Sequence, residues 1–191
     1  QSNGAWEVTG VVYGNRSYGN ALVELYDILR YRGFHPIAAA AFVGQHSFTT
    51  RLATGRPDRE DLEKAEQFSA EIVRRILQPG EFTGIKIPGQ GAPDYGGYYK
   101  PKGRDEEVVN FLKAKPVTTD ACIDCRRCAK VCPMGAIQQD HPSEVSGICI
   151  KCNACVKQCP VHAKQLTDEA YLSHVGFLEN RYTSRARIEL F

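Results

Sequence analysis

The first 121 residues of this chain contain no cysteine, and all eight cysteines lie between Cys122 and Cys159. Long hydrophobic runs are also missing: Ile37–Val43 is among the longest, whereas a membrane-spanning helix needs about 20 apolar residues. Strong charge of either sign is absent, because 24 basic residues nearly balance 22 acidic ones and leave a net charge of +2. These absences argue against a membrane span and against nucleic-acid binding, which a basic surplus would favour.

The eight cysteines form two copies of one pattern, each followed by proline. The copies read Cys122-x-x-Cys125-x-x-Cys128-x-x-x-Cys132-Pro133 and Cys149-x-x-Cys152-x-x-Cys155-x-x-x-Cys159-Pro160. We call them the first and the second cassette. Their spacing is that of bacterial two-cluster ferredoxins, in which the fourth cysteine of each run ligates the other [4Fe–4S] cluster. The proline fixes φ and turns the chain away after the fourth cysteine.

The cassettes therefore predict two [4Fe–4S] clusters with crossed ligand sets. The predicted ligands of cluster 1 are Cys122, Cys125, Cys128 and Cys159. Those of cluster 2 are Cys149, Cys152, Cys155 and Cys132. Structural zinc and a disulfide framework are the alternatives. Three cysteines at successive three-residue steps would crowd a single zinc ion, and disulfides belong to oxidising compartments. With clusters bound, we expect a protein of the reducing cytoplasm.

The chain before the cassettes alternates between strand and helix patterns. Glu7–Tyr13 predicts a strand, and a stripe that includes Leu22 and Tyr26 predicts a helix. Phe34–Val43 is almost continuously apolar, as in a strand buried on both faces. This order favours a parallel α/β layer. Two strands leave unpaired edges, so we expect a segment before Gln1, or a second copy in a homo-oligomer, to complete the sheet.

A second helix is predicted after this apolar strand. Asp58 is a candidate N-cap with Asp61 as a weak capping-box partner. Pro79-Gly80 stops the helix. The stripe predicted to face the core consists of Leu62, Ala65, Ile72 and Ile76.

Several stretches of this first part resemble a flavodoxin-like domain. Val11-Val12-Tyr13-Gly14-Asn15-Arg16-Ser17-Tyr18-Gly19-Asn20-Ala21-Leu22 resembles the fourth strand, its loop and the next helix. Residues 32–48 resemble the last strand and its exit loop, and Gly55-Arg56-Pro57-Asp58 resembles the start of the final helix. With the cassettes, nearly the whole chain resembles bacterial and archaeal flavodoxin–ferredoxin fusion proteins. The first strand and phosphate-binding loop of that family do not precede these stretches here, so its first half is expected to be missing.

The resemblance implies a flavin site at the carboxyl ends of the parallel strands. It assigns FMN contacts to the loop residues Tyr13, Gly14, Asn15, Arg16 and Tyr18. The tyrosines would stack on the flavin, Gly14 and Asn15 would present backbone groups, and Arg16 would favour an anionic reduced flavin. The alternative is that Tyr13 packs at the strand end and Tyr18 at the start of the helix.

The expected architecture is thus a partial flavodoxin-like α/β domain followed by an α+β ferredoxin domain. The predicted segments are residues 1–78, a linker over 79–116, and residues 117–191 with a closing helix within Asp168–Tyr182. Leu172, Val175 and Leu178 are predicted to face inward from that helix. The small core around the clusters is predicted to be Ala129, Val131, Ile137, Ile148, Ile150 and Val156.

Electron transfer is the function that these patterns favour. Single electrons would pass through two [4Fe–4S] clusters, to or from FMN in the intact flavodoxin-like domain. The alternatives are a cluster-only carrier whose first half binds partners, and an iron–sulfur regulatory sensor, which the missing DNA-reading motif disfavours. No residue pattern indicates a dedicated substrate, so an enzymatic activity stays open. A basic rim is predicted to dock an acidic redox partner; it comprises Arg126, Arg127, Lys130, Lys151, Lys157 and Lys164.

Overall fold

The computed structural model describes residues 4–78, 84–90 and 95–191, so residues 79–83 and 91–94 of the predicted linker lie outside the described residues. Two compact units make up the chain. The first comprises residues 1–46, 50–99 and 182–191, and the second comprises residues 47–49 and 100–181. The tail after Arg181 thus belongs to the first unit, although the sequence pattern grouped it with the cassettes. The predicted segment boundaries stay a prediction.

A small sheet forms the centre of the first unit. Strands β1 (Trp6–Tyr13) and β2 (His35–Val43) are joined through helix α1 (Ala21–Tyr31) and pair in parallel, with Thr9 opposite Ala39. The tail adds strand β5 (Glu189–Leu190), antiparallel to β2. The order β1-β2-β5 makes β2 the central strand, which explains its complete burial from Ala38 to Ala41. The pair is parallel as predicted, but so small a sheet does not identify a flavodoxin-like domain.

Helix α1 covers one face of this sheet together with part of the predicted linker. Leu22 and Tyr26 of the helix pack against Ala39, Ala41 and Ile87. Ile87 is buried, although the sequence placed it in the linker. On the other side of β1, Val12 stays 74% exposed among the described residues. The expectation that a further segment or a second copy completes the sheet therefore stays a prediction.

Helix α2 (Arg59–Leu77) lies on the opposite face of β2. Its predicted capping box is confirmed: the Asp61 N–H donates to the Asp58 carboxylate, and the Asp58 N–H donates to the Asp61 carboxylate. The predicted core stripe is partly wrong, because Leu62 and Ile76 are exposed while Phe68 packs against the strand. The helix packs mainly on one strand, so only a narrow stripe is covered.

The second unit is built from short elements around the cassettes. Strands β3 (Val117–Thr118) and β4 (Lys164–Gln165) pair antiparallel, and the helices are α3 (Arg127–Lys130), α4 (Ala154–Lys157) and α5 (Glu169–Arg181). Helix α5 confirms the predicted closing helix. Leu178 is buried as predicted, but Leu172 is exposed, because Tyr171 occupies the core against Phe111. No helix in the described part of the chain is long and apolar enough to cross a membrane.

Candidate iron–sulfur site

The two cassettes have the same loop conformation. Asp124 and Arg126, on either side of Cys125, have φ values of 51° and 59°. Lys151 and Asn153, on either side of Cys152, have φ values of 56° and 58°. Residues other than glycine seldom adopt this left-handed conformation, so its recurrence at equivalent positions shows that both loops make the same turns.

A short helix follows each loop and carries the third cysteine inward. Helix α3 contains Cys128 and helix α4 contains Cys155, and both cysteines are buried. They belong to one apolar cluster with Ala129 and Ile137. Burial raises the pKa of the Cys128 thiol and raises that of Cys155 to about 11. Buried thiols of this kind become thiolates when a metal ion compensates the charge.

The fourth cysteine of each cassette accepts a hydrogen bond from a backbone N–H four residues further on. Cys132 Sγ lies 3.3 Å from the nitrogen of Ala136, and Cys159 Sγ lies 3.2 Å from that of Ala163. Burial raises the pKa of Cys159, but the N–H groups of residues 161–164 outweigh it, so the pKa is lowered. Such donors stabilise a thiolate and tune the metal group that it binds.

A cavity in the second unit brings cysteines of both cassettes together. Cys132 of the first cassette lines it together with Cys149, Cys152 and Cys155 of the second. Most of the remaining wall is apolar and includes Pro116, Met134, Ile137, Ile148, Ile150 and Leu166. Ile148 and Ile150 are 74% and 53% exposed, so their predicted place in a packed core is wrong. They border this cavity instead of packing against one another.

The other four cysteines differ in exposure. Cys122 and Cys125 are exposed, Cys128 is buried and Cys159 is half-buried. All eight cysteines are free thiols in the described residues. No three Cys, His, Asp or Glu side chains within these residues gather into a site for a single metal ion.

Lys164 shows that this interior suits a negatively charged group. The residue is only 2% exposed, and its Nζ has no hydrogen-bond partner among the described residues. Burying an ammonium without a partner is energetically unfavourable, and a negatively charged group bound nearby would offset this cost. A cluster bound by four thiolates is negatively charged, and the thiols with their N–H donors fit it. The prediction that Lys164 belongs to an exposed basic rim is wrong.

Other residues of the predicted rim are engaged within the unit. Arg126 lies 3.7 Å from Asp124 and 4.0 Å from Asp140, measured between nitrogen and oxygen atoms. Lys151 Nζ donates to the carbonyl oxygens of Leu112 and Cys149. Arg127 and Lys130 are exposed. The positive surface around the cassettes is thus smaller than the sequence suggested.

The end of β1 and the loop after it hold the residues predicted to contact FMN, and three of the five bind the tail. Asn15 Nδ2 donates to the carbonyl oxygens of Tyr182 and Ser184, at 2.6 and 2.9 Å. The hydroxyl of Tyr13 donates to the Arg187 carbonyl oxygen. These bonds fix the tail that supplies β5, a partnership that no local sequence signal indicated.

Aromatic contacts complete this loop. The rings of Tyr13 and Tyr18 meet edge to face at 5.4 Å, and the Tyr18 hydroxyl donates to Glu189. The Arg16 guanidinium lies 3.6 Å from the centre of the Tyr99 ring. At Gly14, an added Cβ would lie 2.5 Å from the His46 ring, so this position has no room for a side chain. The packing role considered for the tyrosines is thus observed, and a flavin role stays a prediction.

Comparison with known families identifies the cassette segment. Residues 121–164 match the family described as 4Fe-4S dicluster domain. The match confirms the prediction of a ferredoxin-type segment with clustered cysteine ligands, and it does not extend to the residues before Ala121. A search of curated proteins finds no significant match to the chain. The resemblance of the first part to flavodoxin-like domains therefore stays a prediction.

Proposed function

We propose, from the dicluster match over residues 121–164, that the chain is an electron-transfer protein with two [4Fe–4S] clusters. The observation that carries the proposal is the cavity that Cys132 shares with Cys149, Cys152 and Cys155. It unites one cysteine of the first cassette with three of the second, as a crossed ligand set requires. A [4Fe–4S] cluster held by four thiolates takes up and releases one electron at a time.

The protein's own groups support this role by holding and stabilising the ligands. Cys149, Cys152, Cys155 and Cys132 form one proposed ligand set, and Cys122, Cys125, Cys128 and Cys159 form the other. The N–H groups of Ala136 and Ala163 donate to the sulfur atoms of the fourth cysteines and would hold them in position as cluster ligands. The surrounding apolar side chains restrict water, which strengthens these electrostatic interactions.

Exchange of electrons with a partner protein is proposed at the first ligand set. Cys122 and Cys125 are exposed, so the first ligand set reaches the surface of the unit. Arg127 and Lys130 are exposed near it and would attract an acidic partner. Because these charges are few, we expect them to raise the association rate with the partner only modestly, and added salt should reduce this effect.

The finer proposal is that FMN exchanges electrons with these clusters. It rests on the parallel pair β1 and β2 and on the loop Tyr13–Tyr18, which follows the carboxyl end of β1 where open α/β sheets bind ligands. Tyr13, Gly14, Asn15, Arg16 and Tyr18 remain the proposed contacts. Flavin binding there would have to coexist with, or replace, the bonds of this loop to the tail.

Anaerobic purification tests the main proposal. We expect about eight iron and eight sulfide ions per chain, and paramagnetic reduced clusters after reduction with dithionite. Bound zinc in stoichiometric amount with little iron would overturn the proposal. Substitution of all four cysteines of one ligand set by serine is the control, since it must remove the corresponding iron.

Flavin binding is tested separately with FMN as the probe. Quenching of FMN fluorescence by the intact protein, weakened in Tyr18→Ala, would support the finer proposal. Tyr31→Ala is the matched control, because Tyr31 is an exposed tyrosine at the far end of α1. Iron–sulfur clusters without any affinity for FMN would leave a cluster-only electron carrier.

A further inference from the structure

The two cassettes continue in parallel beyond their last cysteine, but they differ at one buried position. The first continues Cys132-Pro133-Met134-Gly135-Ala136-Ile137, and the second continues Cys159-Pro160-Val161-His162-Ala163-Lys164. Ile137 and Lys164 are thus equivalent, each five residues after the fourth cysteine. Both are buried, at 4% and 2% exposure. One repeat places a neutral side chain inside the unit where the other places a positive charge.

The surroundings of Lys164 do not neutralise this charge. Its backbone lies in β4, opposite Thr118 of β3, and its side chain points into the interior. The Nζ atom has no hydrogen-bond partner and no carboxylate within salt-bridge distance among the described residues. A lysine is seldom buried unless it is paired, because removing an unpaired ammonium from water is unfavourable. The position therefore requires a negative group.

The thiols near this charge belong to both cassettes. Strand β4, which carries Lys164, packs against helix α4, which carries Cys155. Helix α3, which carries Cys128, in turn packs against α4. Cys128 and Cys155 are the third cysteines of the two cassettes, and they lie in one apolar cluster. The field of a single ammonium thus reaches one proposed ligand of each cluster.

We propose that Lys164 compensates the negative charge of both thiolate-bound clusters and thereby raises their reduction potentials. The proposal rests on the proposed function. Each oxidised cluster with four thiolates carries about two negative charges, and reduction adds one more, so a nearby buried cation favours the reduced form. In the low-dielectric interior this effect is much larger than that of an exposed lysine.

The test is the midpoint potential of each cluster in Lys164→Met, which keeps an unbranched side chain, one atom shorter, without the charge. We expect both midpoint potentials to fall by about 59 mV or more. For a one-electron couple, this corresponds to an about tenfold lower ratio of reduced to oxidised cluster at a fixed solution potential. Lys130→Met is the matched control, because Lys130 is an exposed lysine within the first cassette, between Cys128 and Cys132. Lys164→Arg, which keeps the charge, should stay close to the unsubstituted protein.

Iron content separates the possible outcomes. If the unsubstituted protein binds no iron, the proposed function fails. If Lys164→Met binds full iron and keeps its potentials, the charge proposal is overturned while the function stands. If Lys164→Met and Lys164→Gln cannot be loaded but Lys164→Arg can, a positive charge is required at this position and the proposal is supported. Loss of iron in all three variants would show that the shape of the lysine side chain matters and not its charge, and this result would overturn the proposal.

Discussion

Arg56 and Asp61 form a two-point ion pair inside the first unit. Arg56 Nε donates to Asp61 Oδ2 over 2.7 Å, and Arg56 Nη2 donates to Asp61 Oδ1. Both side chains are buried. Arg56 Nη1 also donates to the Ala186 carbonyl oxygen, so the pair connects the start of α2 to the tail. The Asp61 carboxylate thereby caps helix α2 and neutralises the Arg56 guanidinium. Through Arg56 it also stabilises the tail that contains β5.

Asp61→Asn should destabilise the first unit by about 3 kcal/mol, because it leaves the Arg56 charge buried without its counterion. The measurement is the hydrogen-exchange free energy of the β2 amides. Glu63→Gln is the matched control: Glu63 pairs with Arg59 on the exposed face of α2, and its loss should cost less than about 0.5 kcal/mol. Equal effects of the two substitutions would contradict the role assigned to Asp61.

The Asp61 contribution should depend on pH. The hydrogen bonds from Arg56 lower the pKa of Asp61 below its usual value near 3.8, despite the opposing effect of burial. A carboxyl whose pKa is lower in the folded state stabilises the fold above the unfolded pKa, and this stabilisation is lost as pH falls through the folded pKa. We expect the difference between the native chain and Asp61→Asn to be constant above about pH 5 and to shrink below about pH 4. A difference that does not change down to about pH 2 would contradict this.

Asn15→Ala should loosen the tail. The substitution removes two hydrogen bonds donated by Asn15 and the bond that its Oδ1 accepts from the Ala186 N–H, and it leaves a non-glycine residue at φ 71°. We expect a loss of about 2 kcal/mol in protection of the Phe191 amide, which donates to Ala39. Hydrogen exchange measures this loss.

Asn15→Gly separates the loss of side-chain hydrogen bonds from the backbone strain at residue 15. Glycine tolerates the positive φ but makes no side-chain hydrogen bonds. This substitution should cost less than Asn15→Ala and more than Tyr18→Phe, which removes only an exposed bond to Glu189. Unchanged protection of the Phe191 amide in Asn15→Ala would show that the tail is held by other contacts.

Substitution of a fourth cysteine should damage the cluster of the opposite cassette. In Cys132→Ser, Cys149, Cys152 and Cys155 should become open to alkylation, while Cys122 and Cys128 stay protected. The reason is the shared cavity, which Cys132 lines with the second cassette. Mass spectrometry after alkylation identifies the exposed thiols. Cys159→Ser is the reciprocal variant and should expose the first cassette. Exposure of the substituted cassette's own cysteines would disprove the crossed assignment.

Gly147→Ala should weaken the cluster-binding unit. An added Cβ at Gly147 would lie 2.8 Å from the Cα of Ala136, so the backbone must shift at a cost of about 1–3 kcal/mol. Gly135→Asn is the control: no atom lies near its Cβ position, and its counterpart His162 already adopts φ 54°. The measurements are the melting temperature and the iron content after purification. Both should fall strongly in Gly147→Ala and only slightly in Gly135→Asn. The reverse order would contradict the close packing.

Local patterns predicted much of this protein correctly. The capping box of Asp58 and Asp61 and helix α5 follow from signals within a few turns of chain. The parallel pairing of β1 and β2 follows from the order strand, helix, strand. Burial was predicted less well. Leu62 and Ile148 are exposed although both are apolar, because burial depends on whether a distant part of the chain covers the residue.

The sequence by itself determined the two cysteine cassettes and the ferredoxin-type segment, because ligand spacing within a short loop is a local property of the chain. The cavity that Cys132 shares with the second cassette agrees with the ligand set that the spacing predicts. Only the tertiary structure decided that the tail adds a strand beside β2. It also decided that Lys164, which the sequence predicts to be a surface lysine, lies buried in a strand that packs against the helix carrying Cys155. These relationships arise from contacts between residues far apart in the sequence, and such contacts decide whether a charge or an apolar group is buried.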